Sequence, residues 1–238
     1  MRIDLHLLCW NEAYLLPSIL DYYSRYVDSI TLHDNYSTDG SQDIARSFGA
    51  KVVNFGRSGQ LDDRAFLQVK NSSNLGKDWV IVCDTDEVLF HPLGLRHAIM
   101  NESDKGSTFL RVKGFNIYSE AGLQDVEELL DINTGFPYQP FDKNIAFKPE
   151  HIKPNFAWGA HRWSPKGRVI ASASQFYLLH YRCIGGVERM IQRHSEYKER
   201  MSKFNLDNRL SFHYLRSEAE IRREWEENMQ KIKPFEPF

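Results

Sequence analysis

The sequence predicts an α/β protein whose mostly parallel sheet is covered by helices on both faces. Three observations carry that prediction. Apolar runs alternate with helical stretches through roughly the first ninety residues, the order of a parallel sheet with crossover helices. The run Trp79–Cys83 is apolar throughout, as a strand buried on both faces should be. The chain is 238 residues long, with 42% apolar and 26% charged residues, which suits one large α/β domain or two small ones with ample core material.

The elements follow in order. Ile3–Cys9 reads as a first strand. Leu15–Tyr26 reads as a helix, with Pro17 placed in the first turn, where its missing N–H would be unpaired anyway. Ser29–His33 is a second strand, Ser41–Phe48 a helix closed by Gly49, and Lys51–Phe55 a Val-containing third strand. Asp62–Leu75 is a helix ended by Gly76, and Trp79–Cys83 is the fourth strand. Beyond it, strand-like pieces lie at Thr108–Val112, Ile145–Lys148, Val169–Ala171 and Phe176–Tyr181, separated by long aromatic loops such as Thr134–Asp142. From Gly186 onward two helical stretches, Val187–Lys203 and Ser217–Ile232, are dense in both charge signs.

Composition narrows the partners. Thirty basic against 32 acidic residues leave a net charge of −2, so no global field draws the chain onto nucleic acid. No apolar run approaches the about 20 residues needed to cross a bilayer, and no signal peptide is visible. Cys9, Cys83 and Cys183 show neither CxxC spacing nor an even count. A cytoplasmic location is expected, with room for peripheral association with a membrane.

The predicted strand ends bring acids to one rim, where ligands of open α/β sheets bind. Asn11-Glu12 follow the first strand, Asp34-Asn35 the second and Asp84-Thr85-Asp86-Glu87 the fourth. In an extended backbone Asp84 and Asp86 would point to one side while Thr85 points away, and paired carboxylates suit Mg²⁺ or Mn²⁺. Acids closing a strand at the solvent edge give the same pattern. Asp34-Asn35-Tyr36-Ser37-Thr38-Asp39-Gly40-Ser41 reads locally as a strand end followed by a capped helix start. Glu87 reads equally as a helix-start acid favoured by the macrodipole.

Taken together, Asn11-Glu12, the stretch ending in Ser37-Thr38-Asp39-Gly40-Ser41, an Arg-bearing helix and Asp84-Thr85-Asp86 resemble the donor-binding half of family 2 glycosyltransferases of the GT-A fold. Asp84-Thr85-Asp86-Glu87 resembles a bacterial branch with Asp-Xaa-Asp-Glu. The resemblance is strong over residues 3–92 and loose beyond. It implies residues 1–185 as the transferase domain, with 1–92 as nucleotide-sugar half and 93–185 as acceptor half, and 186–238 as a C-terminal helical extension.

By position it implies nucleotide binding by Asn11, Glu12, Asp34, Asn35, Arg64 and Asp84, and Asn71 stands where many members have Asn. It further implies a metal, Mn²⁺ or Mg²⁺, on Asp84, Asp86 and His180, the last closing an apolar strand; a buried core histidine is the competing reading of His180. The acceptor proton would pass to Asp142 or His161, and Trp158 and Trp163, flanking His161, suit packing against a sugar face or against a core. The implied reaction is inverting transfer from a nucleotide-diphosphate sugar, commonly a UDP-sugar, to a glycan or other hydroxyl acceptor in surface-polysaccharide synthesis. The fourth strand and its acids also fit the nucleophile motif of haloacid-dehalogenase-like phosphatases, although no second acidic pair follows. A non-catalytic sugar-nucleotide-binding protein is the remaining alternative.

Overall fold

In the computed structural model, which describes residues 1–72 and 75–236, the β/α alternation of the first half is present element by element. It runs β1 (Ile3–Cys9), α1 (Leu16–Ser24), β2 (Ser29–Asp34), α2 (Ser41–Ser47), β3 (Lys51–Asn54), α3 (Asp63–Lys70), β4 (Trp79–Asp84), β5 (Glu87–Phe90) and α4 (Leu95–Asp104). The second half continues with β6 (Phe109–Ser119), β7 (Thr134–Pro137), β8 (Ala146–Phe147), β9 (Ile152–Lys153), β10 (Lys166–Gly167) and β11 (Ala171–Ile184). It closes with α5 (Gly186–Glu199), α6 (Lys203–Asp207), α7 (Glu218–Met229) and β12 (Lys233–Pro234).

One sheet holds ten of these strands. Its main path is β12-β7-β6-β8-β4-β1-β2-β3, with β11 paired to both β6 and β5. β1 pairs parallel with β2 and β4, β2 with β3, and β6 with β11, while β5 runs antiparallel to β11. The short strands β7, β8 and β12 add antiparallel pairs. Side-chain alternation along the central strands builds two layers. Ile3, Leu5 and Leu7 of β1, with Trp79, Ile81 and Cys83 of β4, pack under α1 and α4 in one core. Leu8, Val80 and Val82 face the other way, onto Phe66, Leu67 and Val69 of α3 and onto Phe147 and Phe156. A third cluster of Tyr118, Cys183, Met190, Ile221 and Trp225 seats α5 and α7.

Some expected boundaries shift for physical reasons. The helix expected to reach Leu75 ends at Lys70, because the Asn71 side chain turns away to bond both the N–H and the carbonyl of Phe156; residues 73 and 74 of that expectation lie outside the described residues. Similarly, the last two residues of the 186–238 extension lie outside them. Val169 precedes the strand, and the pieces expected at Val169–Ala171 and Phe176–Tyr181 become the fourteen-residue β11, kept in register with β6 only through two irregularities, at 171–175 and 180–183. Glu87 opens a strand, β5, and not a helix. β7 lies within the stretch expected to be loop, where Gly135 lets the strand meet β6 closely: a Cβ there would lie 2.1 Å from the Asn116 carbonyl oxygen. No helix among the described residues is long and apolar enough to cross a membrane.

Candidate active site

The parallel register sets three strand ends side by side, Cys9 opposite Asp34 and Leu8 opposite Asp84. The loops that follow are clasped together. Asn11, in the left-handed region at φ 48°, accepts the Thr38 N–H on its side-chain oxygen at 2.7 Å, and its own N–H donates to the Ser37 hydroxyl at 2.8 Å. The N–H of Glu12 donates to Ser41, and Asp39 accepts the N–H of Ala13. The Ser-Thr-Asp-Gly-Ser stretch is therefore a buckle between the first two strand ends.

Asp34 is the pin of that buckle. Its carboxylate is fully buried and accepts the Ser37 N–H at 2.8 Å, the Ser37 hydroxyl, and the Gln42 amide at 2.7 Å. Asn35 is equally buried, donating to the Phe55 carbonyl at 2.9 Å and accepting from Arg200. Asp34 and Asn35, the expected nucleotide-contacting pair, thus tie the second strand end to its neighbours. Arg64 is exposed, ion-paired to the helix-capping Asp62 and stacked 4.0 Å from the Phe204 ring.

The Asp84-Thr85-Asp86 segment is a tight turn between β4 and β5, not the extended run that would have aimed both carboxylates one way. Thr85 does point back into the sheet, its hydroxyl donating to the Leu8 carbonyl at 2.8 Å. The two acids meet different partners. Asp84 is gripped by the buried ammonium of Lys70, 2.8 and 2.9 Å from its two oxygens. Burial works to lower the Lys70 pKa, but Asp84 and Glu87 outweigh it and the ammonium is held above its usual value. Asp86 faces His180 across 3.3 Å. Burial works to raise the Asp86 pKa, and His180, followed by Arg182 and Lys143, overcomes it and holds the carboxyl well below the usual range.

His180 lies on β11 opposite Glu87, and it is 7% exposed. Its Nδ1 hydrogen-bonds the Asn116 side-chain oxygen at 3.0 Å, so that nitrogen carries the proton. Nε2 can then face a carboxylate only with a second proton or a cation between them. Two ligands at about 2.1 Å on adjacent corners of an octahedral ion stand about 3 Å apart, so Asp86 and His180 fit a hard divalent cation, with Asn116 fixing the ring from behind. Asp84 does not join them, and among the described residues no three acidic, His or Cys side chains converge as a ready metal group.

The acceptor-side candidates are on one lobe. Phe141 stacks on His180 with centroids 4.0 Å apart, and the next residue, Asp142, is exposed and accepts the Gly114 N–H at 2.7 Å. His161 is exposed and bonds the Pro140 carbonyl oxygen at 2.6 Å through Nδ1. The 139–142 turn thus links both residues to the His180 neighbourhood. Trp158 is 41% exposed, next to Phe204, while Trp163 packs against Phe109 and Phe156.

Sequence reasoning missed the cations. Lys143 forms a buried ion pair with Glu87, and Arg193 of α5 pairs with Glu12 at 2.6 Å. Burial raises the Glu12 pKa to about 7 against the pull of Arg193. Arg200 stacks on Trp10 at 3.6 Å and reaches Asn35. A signal was present: Arg189, Arg193, Tyr197 and Arg200 follow at i, i+4, i+8 and i+11, one helix face of arginines where apolar residues would be expected.

No protein family's profile matches this chain, nor does any curated protein. Solved structures give partial likenesses. Mannosyl-3-phosphoglycerate synthase from Rubrobacter xylanophilus is 20% identical over 63% of this chain and 54% of that one, with a TM-score of 0.40. Glucosyl-3-phosphoglycerate synthase from Mycobacterium tuberculosis, solved with Mg²⁺ and UDP, is 22% identical over 48% of this chain and 43% of that one, with a TM-score of 0.34. The same enzyme with Mn²⁺, UDP and glucosyl-3-phosphoglycerate gives 21%, 48%, 44% and 0.30. The chain spans about half the length of these proteins.

Proposed function

We propose that this chain is a metal-dependent glycosyltransferase that takes a sugar from a nucleotide-diphosphate donor, a UDP-sugar by the resemblance of its motifs, and passes it with inversion to a hydroxyl of a glycan or similar acceptor. The observation that carries the reading is the Asp86–His180 pair at the rim of the sheet, a carboxylate 3.3 Å from an imidazole Nε2 whose ring is held from behind by Asn116. Asp86 and His180 would hold Mn²⁺ or Mg²⁺, with Asp84 beside them in the same turn. The bound ion supplies Lewis acidity to the departing diphosphate.

The protein's own groups do the rest. The buckle of Asn11, Asp34, Ser37 and Asp39 fixes the nucleotide-side loops before any ligand arrives, so binding is converted into orientation of the anomeric carbon. Glu12 and Asn35, braced by Arg193 and Arg200, complete that wall, and Arg64 stands at its outer edge. Asp142 or His161 removes the acceptor proton from the lobe carried by Phe141. In this scheme residues 1–92 serve the donor, 93–185 the acceptor, and 186–238 brace the donor side.

The phosphatase reading lacks the second acidic pair that its Mg²⁺ would need downstream of β4. Incubation with a panel of UDP-sugars and Mn²⁺ tests the proposal. Metal-dependent release of UDP from one of them, lost in Asp86→Asn, is the expected result. Release of inorganic phosphate from phosphomonoesters would favour the phosphatase, and binding without turnover would favour the inert binder.

A further inference from the structure

Beside Asp86 the structure holds a small cavity lined by Glu12, Leu15, Asp86, Arg182, Arg189, Arg193, Tyr197 and Tyr214. Its charges do not balance locally. Three guanidiniums, those of Arg182, Arg189 and Arg193, face two carboxylates, those of Glu12 and Asp86, and Glu12 is paired directly with Arg193. Arg182 and Arg189 are left over: among the described residues neither forms an ion pair with a carboxylate. Arg182 donates from Nη1 to the Tyr214 hydroxyl at 2.9 Å, and its Nη2 is buried without a hydrogen-bond partner. Among the described residues Arg189 donates to the Arg182 and Ile184 carbonyls alone and stacks on Tyr14 at 4.2 Å. Nearby Arg200, 5% exposed, shares Trp10 and Tyr197 with Arg193, has no carboxylate partner among the described residues, and leaves Nε and Nη1 unpartnered.

A buried guanidinium without a direct ion-pair partner is costly, and an unpartnered N–H adds to the cost. Two such groups, Arg182 and Arg189, line this one cavity together with Tyr197 and Tyr214. We propose that this cavity is an anion seat, built by Arg182 and Arg189 to take a phosphate group of a bound substrate. Guanidinium forks match phosphate oxygens in pairs, which an ammonium cannot do, and the buried Nη2 of Arg182 gains the partner it lacks. The free volume is about 20 Å³, enough for one water, so the phosphate enters as Arg189, half-buried and held only by carbonyls and a ring, swings outward. The seat stands on the geometry alone. Its link to turnover rests on the transferase reading, in which either the donor diphosphate or a phosphate on the acceptor could fill it.

Calorimetric titration of the full chain with inorganic phosphate, and separately with uridine, UMP and UDP in Mg²⁺, tests the seat and names its source. The expected result is phosphate binding that weakens at least tenfold in Arg189→Gln and Arg182→Gln and is partly kept in Arg189→Lys. Phosphate binding that persists in UDP-saturated protein assigns the seat to the acceptor. Displacement of phosphate by UDP, with variants that lose affinity for UDP and not for uridine, assigns it to the donor. Wild-type protein that binds no phosphate, or a folded Arg189→Gln that binds phosphate and every nucleotide as the wild type does, overturns the proposal. Should Arg182→Gln fail to fold, Arg189→Gln decides, since its side chain carries little of the core. Protein that binds UDP with Mg²⁺ but no phosphate loses the seat and keeps the transferase reading, and protein that binds phosphate but no UDP does the reverse.

Discussion

Replacing the Asp86 carboxylate by its isosteric amide removes a charge and leaves the shape, so Asp86→Asn should lower the metal-dependent affinity for UDP at least tenfold. Stability should fall as well, because His180, Arg182 and Lys143 lose the carboxylate charge that they face; a melting curve beside the titration separates the two effects. His180→Ala should weaken the same binding and leave metal-free affinity unchanged. In the wild type, affinity for Mn²⁺ should fall as the solution is acidified, because a proton on Nε2 competes with the ion for one lone pair. A flat pH dependence would return His180 to the core. The residue types at this point were legible in the sequence, since strand-end acids and a late histidine can be read from a single chain. Their pairing was not. Whether Asp84 or Asp86 meets His180 depends on a two-residue turn, and Lys70 reaches Asp84 only because α3 stops where Asn71 turns to Phe156.

Among the elements, β6 and β11 position the lobe over His180. Gly114 of β6 lets the 139–142 turn lie directly on the strand: a Cβ there would stand 2.4 Å from the Phe141 carbonyl carbon. Gly114→Ala should therefore push Phe141 off His180, cost about 1–3 kcal/mol, and weaken metal-dependent binding without touching a charged group. Glu102 joins α4 to the start of β11, accepting from Lys105, Ser107, Ser174 and the Ala173 N–H. Burial works to raise its pKa, but those donors prevail and bring it from 4.5 down to about 2. A depressed carboxyl pKa adds stability above the unfolded value and loses it as pH falls toward the folded one. Glu102→Gln should thus cost about 2–3 kcal/mol at neutral pH and flatten acid unfolding between pH 4.5 and 2, read by urea melts across that window. The first four strands and the three helices between them were readable because apolar period and turn residues agree there. β11 was not, because its irregularities break the alternation into two short pieces, and β7 hid within a loop-like composition.

At the scale of the molecule, the C-terminal helices are bound into the site. Arg193 reaches back to Glu12, Arg200 to Asn35, and Asn205 and Ser211 to Asp63. Composition described that segment as a charged extension, and only the tertiary contacts show which of its arginines turn inward. Heating the full chain should then give a single calorimetric transition, with donor half, acceptor half and extension unfolding together. Two resolved transitions would mean the bracing contacts are weak. In the proposed transferase a metal joins the rim of the sheet to a nucleotide diphosphate, and titration of UDP into the protein in Mn²⁺ and in EDTA tests that directly. Binding at least tenfold tighter in Mn²⁺, with the difference abolished by Asp86→Asn, is the predicted result; equal affinity in the two media would contradict it.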